Sequence, residues 1–244
     1  MQAILAIFIW LFIAIMSLAE FLATSCVAIF LFPFDRKRKI AHAQGFWWAD
    51  AILGINPFWS LKLSGLENID PKKTYVIVAN HQSFFDIPLL YKTRLQFKWV
   101  AKESLFNIPL FGWSMSLGKH VKLARGARGS IKKAYDQAAG WLRQGVSVLF
   151  FPEGTRSASA EMDTFKNGAF KLAIQEKIPV LPIAINGTRQ IIPRGGWIFQ
   201  TKAYCTLRVF PAIETKDYLP EDFSHLRDTV RDKLNENLIA KSAF

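Results

Sequence analysis

The chain reads as an α/β protein: a mixed β-sheet layered by helices, with an N-terminal hydrophobic helical membrane anchor. Three observations predict this. From Leu61 onward, short apolar runs rich in β-branched residues alternate with segments whose apolar residues recur at helical spacing. Before that, residues 3–34 are almost wholly apolar, broken only by Ser17, Glu20, Thr24 and Ser25. Hydrophobic residues make up 51% of the 244 and aromatics 14%, with 21 Phe and 8 Trp, which fits a lipid-facing surface better than a wholly water-facing one. This length accommodates one sizeable α/β unit with an appendage, so residues 1–60 are expected as membrane-anchoring helices and 61–244 as the unit carrying the chemistry.

The first element is a helix. Ile4, Leu5, Ile7, Phe8, Ile9, Leu11, Phe12, Ile13, Ile15 and Leu18 together favour membrane entry by roughly 3–6 kcal/mol, against a cost of about 3 for one acid at the bilayer centre. Entry wins even with Glu20 included. The absence of a basic segment ahead of the apolar run argues against a cleaved secretory signal. Asp35-Arg-Lys-Arg-Lys39 follows, and by the positive-inside tendency this end is cytoplasmic, on a membrane expected to be the bacterial inner membrane. Residues 40–60 carry Phe46, Trp47, Trp48, Phe58 and Trp59 with few charges, a pattern for a second helix at the interface. A single crossing and two helices dipping into one leaflet both fit.

In the second unit the alternation predicts strands at 61–65, 76–79, 97–101, 120–124, 146–151, 180–185 and 203–210. Helices are expected from Ser83, over 108–117, around Ile131 to Leu142, over 165–176, and at the C-terminus through Leu226, Val230, Leu234 and Leu238. No internal repeat or low-complexity segment interrupts them. Cys26 and Cys205 provide no disulfide framework and read as free thiols of a reducing compartment. No Cys/His cluster has zinc-ligand spacing, so no metal is expected.

Two stretches carry chemistry. In the first, the 76–79 strand runs into Asn80-His-Gln-Ser-Phe-Phe-Asp86. Ser83 and Asp86 have capping-box spacing, which puts His81 on a strand-to-helix turn with a carboxylate one short turn away. An imidazole steadied by a carboxylate is a general base for a hydroxyl: the carboxylate fixes the tautomer and stabilises the imidazolium. An isolated His-x-x-x-x-Asp is also compatible with a turn histidine beside a helix cap. In the second stretch, a strand ends at Pro152 and continues Glu153-Gly-Thr-Arg-Ser157. Gly154 admits close backbone approach, Thr155 and Ser157 offer hydroxyls, and Arg156 can grip an oxyanion with two parallel donors. That combination suits a phosphate, and equally describes a polar turn with an exposed arginine.

Together these stretches resemble the first and third signature blocks of the glycerolipid acyltransferase family, in its bacterial 1-acylglycerol-3-phosphate acyltransferase branch. The second block is similar to Ile108-Pro-Leu-Phe-Gly112 continuing to Val121-Lys-Leu-Ala-Arg125, and the fourth to Ile178-Pro-Val-Leu-Pro-Ile183. Lys102, in Ala101-Lys-Glu103, and Lys166-Asn-Gly168 fit the same context, and the likeness spans residues 61–212. Four ordered blocks are far more specific than one. The Val121-Lys-Leu-Ala124 segment departs from the Ile/Val-Asp that members often carry before the arginine.

The resemblance implies a glycerolipid acyltransferase-like fold. It also implies transfer of a fatty acyl group from an acyl carrier protein or coenzyme A thioester to the sn-2 hydroxyl of lysophosphatidic acid. His81 would be the base and Asp86 its orienting partner. Lys102, Arg125, Gly154, Thr155 and Arg156 would bind the substrate phosphate, with Asn80 and Glu153 in support; Glu153 would position a basic residue or the glycerol. No resident cofactor is implied, and the implied partners are the two substrates, membrane lipids and possible acyl carrier protein. No Gly-x-Ser-x-Gly elbow is present, the nearest string being Gly112-Trp-Ser-Met-Ser116, so no serine nucleophile is expected.

Arg128, Lys132 and Lys133 add positive field or form a solvated helix face; Lys166 and Asn167 suit packing near a helix start; His42, His120 and His225 read as structural or surface residues. The +12 charge selects anionic partners. Without an aromatic RNA-binding motif, and with the basic residues gathered near membrane and pocket, nucleic acid is disfavoured. The competing readings are an acyltransferase with another acceptor (glycerol-3-phosphate, another lysophospholipid, an ornithine lipid) and a non-catalytic module binding anionic lipid.

Overall fold

The computed structural model describes residues 2–124, 128–156, 162–193 and 195–239. Two helices lead, α1 (Gln2–Phe30) and α2 (Lys39–Gly54), and the α/β unit follows as β1 (Trp59–Ser64), β2 (Val76–Ala79), α3 (Asp86–Tyr91), β3 (Phe97–Lys102), α4 (Phe111–Leu117), β4 (Val121–Leu123), α5 (Arg128–Arg143), β5 (Ser147–Phe150), α6 (Gly168–Glu176), β6 (Val180–Asn186), α7 (Thr188–Ile191), β7 (Ala203–Val209) and α8 (Phe223–Ile239). The described strands form one mixed sheet in the order β1-β7-β6-β2-β5-β3-β4. All neighbours are parallel except β6 and β7.

Side-chain alternation assigns the two faces. Ile77 and Ala79 of β2, Leu149 of β5 and Leu181, Ile183 and Ile185 of β6 point into a core shared with α1, α2 and α3. Their neighbours Val76, Val78, Val148, Phe150, Val180 and Ala184 point into a second core closed by α5, α6 and α8. A central strand buried on both faces therefore reads as an unbroken apolar run, and each fully buried Val, Leu or Ile contributes roughly 1.5–3 kcal/mol. Because β2, β3, β5 and β6 run parallel, their carboxyl ends open on one edge. Open α/β sheets bind ligands there.

The N-terminal pair departs from the expected interfacial second helix in one respect. Trp48 and Trp59 turn inward, each 5% exposed. The Trp48 indole donates to Ser17 Oγ of α1 at 3.1 Å, and Trp59, in β1, donates to the Gln200 carbonyl at 3.0 Å. Helix α2 starts where Asp35 accepts the Lys39, Ile40 and Ala41 amides at 2.7, 3.2 and 3.0 Å, satisfying orphan donors of its first turn. Helix α1 is 29 residues long and, over its most apolar window, only 17% of residues are buried. A core helix of a water-soluble protein would be mostly covered, so the long outward face marks a membrane-associated chain.

Three boundaries differ from expectation for local reasons. Helix α3 begins at Asp86 rather than Ser83 because the Asp86 and Ile87 amides bond back three residues, to the Ser83 and Phe84 carbonyls, and form a tight turn ahead of the helix. Helix α4 begins at Phe111 because Leu110 adopts φ +62°, outside the right-handed helical region. Strand β4 begins at Val121 because the His120 ring, at Nδ1, accepts the Trp99 amide at 3.0 Å. Helix α7 follows from no sequence pattern noted above, and it supplies a residue of the site.

Candidate active site

Asn80 ends β2 by continuing its ladder with a side chain. Its Oδ1 accepts the Ile185 amide and its Nδ2 donates to the Ile185 carbonyl, both at 2.8 Å. A residue that is 0% exposed thus leaves its amide group paired on both sides, and the chain turns at His81 from a fixed point.

The His81 Nδ1 lies 2.7 Å from Asp86 Oδ2. That same oxygen accepts the amides of Gln82 at 2.6 Å and Ser83 at 2.9 Å, while Oδ1 accepts the hydroxyl of Thr188. Asp86 is fully buried. A buried carboxylate is tolerated only when its lone pairs are filled, and donors from three directions hold it acceptor-only. An acceptor-only carboxylate at Nδ1 selects the tautomer with the proton on Nδ1 and leaves Nε2 as the basic nitrogen. The ring plane is set from the other side: His81 stacks on Phe151 with centroids 4.0 Å apart and 14° between planes, and Phe151 in turn lies 5.8 Å from Trp99. The His81 side chain keeps 17% of its surface exposed.

Thr188 is the participant that sequence reasoning missed. Gly187 adopts φ +84°, and a Cβ there would sit 2.0 Å from the Tyr204 carbonyl, so only glycine lets the chain turn sharply off β6 and bring Thr188 under Asp86. The available signal was the Gly-Thr pair at the carboxyl end of a buried strand. Cys205 lies in the same neighbourhood; burial first, and then the Asp86 charge, push its thiol up to about 12. It is therefore a protonated, apolar packing group.

The second motif is tied to the first through Glu153. Its Oε1 accepts the His81 amide at 2.7 Å and its Oε2 accepts the Asp163 amide at 3.0 Å. Glu153 is 5% exposed, and these two bonds tie its carboxylate to backbone on both sides of the turn. Gly154 adopts φ +76°, which turns the chain outward and leaves Thr155 and Arg156 exposed. Arg156 is three residues from Glu153, within about 10 Å along the chain. Lys102 is exposed at the end of β3, whose carboxyl end opens on the same edge as that of its parallel neighbour β5. The carboxyl edge thus gathers His81, Asp86, Thr188, the Gly154–Arg156 turn and Lys102. Arg125 and Ser157 lie outside the described residues. Lys166 donates its amide to the Pro152 carbonyl at 2.9 Å, and Asn167 accepts from Arg227 at 2.7 Å, so these two brace the loop and α8. His42 and His120 are buried away from this edge.

An imidazole fixed by a buried carboxylate, beside a cationic turn, can take a proton from a hydroxyl of an anionic substrate. A family model described as Acyltransferase matches residues 60–186. The chain is 41% identical over 190 residues to a 1-acyl-sn-glycerol-3-phosphate acyltransferase of Chlamydomonas reinhardtii, covering 77% of this chain and 56% of that protein. It is 36% identical over 152 residues to the 1-acyl-sn-glycerol-3-phosphate acyltransferase of Pseudomonas aeruginosa, covering 62% of this chain and 57% of the relative. The chain thus spans somewhat over half the length of these curated relatives. The crystal structure of the 1-acyl-sn-glycerophosphate (LPA) acyltransferase PlsC from Thermotoga maritima is similar with a TM-score of 0.69 and 27% identity, over 100% of this chain and 99% of that one. With the family model matched across more than half of its residues, including both chemical motifs, the chain belongs to the acyltransferase family.

Proposed function

We propose that this chain transfers a fatty acyl group from an acyl thioester to the sn-2 hydroxyl of lysophosphatidic acid, giving phosphatidic acid for phospholipid synthesis. The carrying observation is the His81–Asp86 pair at 2.7 Å, set beside an exposed Gly-Thr-Arg turn. The names of the relatives and of the structural neighbour support the acceptor.

In this reading His81 Nε2 takes the proton of the sn-2 hydroxyl as the oxygen attacks the thioester carbonyl. The tetrahedral intermediate then expels the thiolate, which leaves with the proton from the imidazolium as a free thiol. No acyl-enzyme forms. Base catalysis of this kind contributes about two to four powers of ten; the rest comes from alignment of the two substrates and from donors facing the developing oxyanion. Arg156, with Gly154, Thr155, Lys102 and Arg125, binds the phosphate, each charge-assisted contact contributing roughly 1.5–3 kcal/mol. Asn80, Glu153 and Thr188 hold the loop. The donor is acyl carrier protein or coenzyme A thioester, and no resident cofactor is required.

Residues 1–60 form the anchor and 61–244 the catalytic unit. Helix α1 is docked lengthwise: Trp10 donates to the Trp197 carbonyl at 2.8 Å, Ser17 accepts from Trp48 at 3.1 Å, and Glu20 accepts from Ser114 at 2.7 Å. A helix attached along its length cannot cross a bilayer without drawing the body in, so the reading is of α1 lying within one leaflet. The basic run after α1 supports a catalytic unit on the cytoplasmic face of a bacterial inner membrane. The test offers labelled acyl-coenzyme A and acyl carrier protein to a panel of lysophosphatidic acid, glycerol-3-phosphate, other lysophospholipids and ornithine lipid. Preferred transfer to lysophosphatidic acid is expected; transfer only to a non-phosphorylated acceptor overturns the assignment.

A further inference from the structure

The exposed large apolar side chains gather on α1 and its connector, from Ile4 at 62% to Phe34 at 85%. Others are scattered over the catalytic body, and two of these are indoles. Trp197 is 50% exposed and Trp113 is 47% exposed. Both sit on segments clamped to α1. The Trp197 carbonyl accepts the Trp10 indole at 2.8 Å, and Phe199 lies 5.1 Å from Trp10. Trp113 lies 5.6 Å from Phe21, and its neighbour Ser114 donates to Glu20.

The same two segments bracket the catalytic loop. Phe85 packs 5.9 Å from Phe199 on one side, and Phe84 packs 5.7 Å from Phe111 on the other. Phe84 and Phe85 are the residues between His81 and Asp86 that span the turn. Each exposed indole therefore stands two residues from an aromatic side chain, Phe199 or Phe111, that packs on the loop holding the base.

We infer that Trp197 and Trp113 are membrane-surface contacts of the catalytic body, seated in the headgroup layer of the leaflet that holds α1, and that together they set the height of the His81–Asp86 loop above the acyl chains. A lipid surface is the occupant because both indoles are exposed on segments fixed to α1, whose own exposed side chains are almost all apolar, and an amphipathic ring on a fixed segment settles at headgroup depth. The consequence is mechanistic: a glycerol hydroxyl meets the base at its own depth in the leaflet, so the acceptor keeps its chain in the bilayer. This rests on the reading of α1 as bilayer-embedded and of the acceptor as a lipid.

The inference fixes a geometry. Trp197 meets α1 at Trp10 and Trp113 meets it at Phe21, positions about 16 Å apart along a helix axis. Equal depth for the two therefore requires α1 to lie along the leaflet.

The test uses the full chain in phosphatidylethanolamine–phosphatidylglycerol vesicles. Spin labels are placed one at a time by Trp197→Cys, Trp113→Cys and Leu11→Cys in a Cys26→Ser background, and depth is read from collisions with oxygen against a water-soluble nickel chelate. Labels at 197 and 113 are expected at headgroup depth, within a few ångströms of each other, with the label at 11 deeper. Water-like accessibility at 197 or 113 while 11 is deep overturns this inference alone. A depth difference of about 16 Å also overturns it, as does dipolar broadening from a second copy of the chain covering the indoles. A label at 11 that is itself in water overturns the membrane reading beneath it. Where a label perturbs the fold, the Trp113→Ala/Trp197→Ala double variant decides: about tenfold lower kcat/KM is expected on vesicle-borne lysophosphatidic acid, with little change on a monomeric short-chain acceptor. Equal loss on both acceptors overturns it.

Discussion

His81 and the pair His42–His120 are buried or half-buried histidines of one chain, with opposite fates. His81 has a buried carboxylate at 2.7 Å and keeps part of its ring open to the ligand edge. His42 is buried against the Leu95 carbonyl, 3.0 Å from Nε2, and His120 spends Nδ1 on the Trp99 amide. Near both lies a buried lysine. Lys98 is 0% exposed, donates to the Gly118 carbonyl at 2.7 Å and lies 4.7 Å from the Trp141 ring. Burial first, and Lys98 next, push His42 down to about 3 and His120 well below its ordinary value. Those two imidazoles stay neutral and serve as hydrogen-bonding core. Of the four histidines in the sequence, His81 alone has a carboxylate in a short motif, and the partner at the ring decides which one is a base.

The comparison can be broken at its carboxylate. Asp86→Asn removes the acceptor-only partner and can present its amide to the ring in place of an oxygen. The turnover of acyl transfer is expected to fall by about two to four powers of ten while the far-ultraviolet spectrum stays native; a loss under tenfold would place the base elsewhere. Arg156→Ala comes next: KM for lysophosphatidic acid should rise about 10–100-fold, with the thioester KM nearly unchanged. Movement of the thioester constant alone would contradict the phosphate role. A smaller effect is expected at Thr188, where the valine variant loses one of the donors to Asp86. A kcat lowered about fivefold, unchanged KM and recovery in Thr188→Ser would mark a positioning hydroxyl; no recovery with serine would mark simple packing.

The other side of the comparison predicts stability rather than rate. Burial pushes Lys98 down to about 7, aided by Arg38 and Lys119 and opposed by Asp35. Above pH 7 the unfolded chain still binds a proton at this lysine that the folded chain has released, so stability rises with pH until the unfolded lysine also titrates. For His42 and His120 the same sign applies on the acid side: stability is whole above about 6.5 and falls as pH drops through and below that value. Lys98→Met should remove the alkaline rise, a difference of at most about 3 kcal/mol between pH 7 and 9.5, measured by denaturant melts. An unchanged slope would show that Lys98 is charged in the folded core.

The sheet was largely legible because its strands are buried on both faces and announce themselves as β-branched runs, and because Pro152 and Asn80 mark where two of them end. The His81–Asp86 spacing was legible for the same reason: both partners lie within one short loop. What sequence did not show is what only the third dimension joins. Thr188 reaches Asp86 across β6, and Glu153 reaches the His81 amide across β5; neither contact leaves a periodicity or a spacing. The expected start of α3 at Ser83 moved by one turn, since the amides of Asp86 and Ile87 bond back three residues to Ser83 and Phe84 and make a tight turn ahead of the helix. Trp48 and Trp59 looked interfacial because composition reports how many indoles a segment has, while burial depends on which way each one faces.

The central claim is that a carboxylate-held imidazole, and not merely a histidine in a cationic protein, moves the proton. Single-turnover acyl transfer to lysophosphatidic acid, measured in parallel for His81→Ala and His42→Ala, tests it directly. The account predicts a loss of about a hundredfold or more at His81 and, in the folded fraction, near wild-type transfer at His42. Transfer retained by His81→Ala would contradict it.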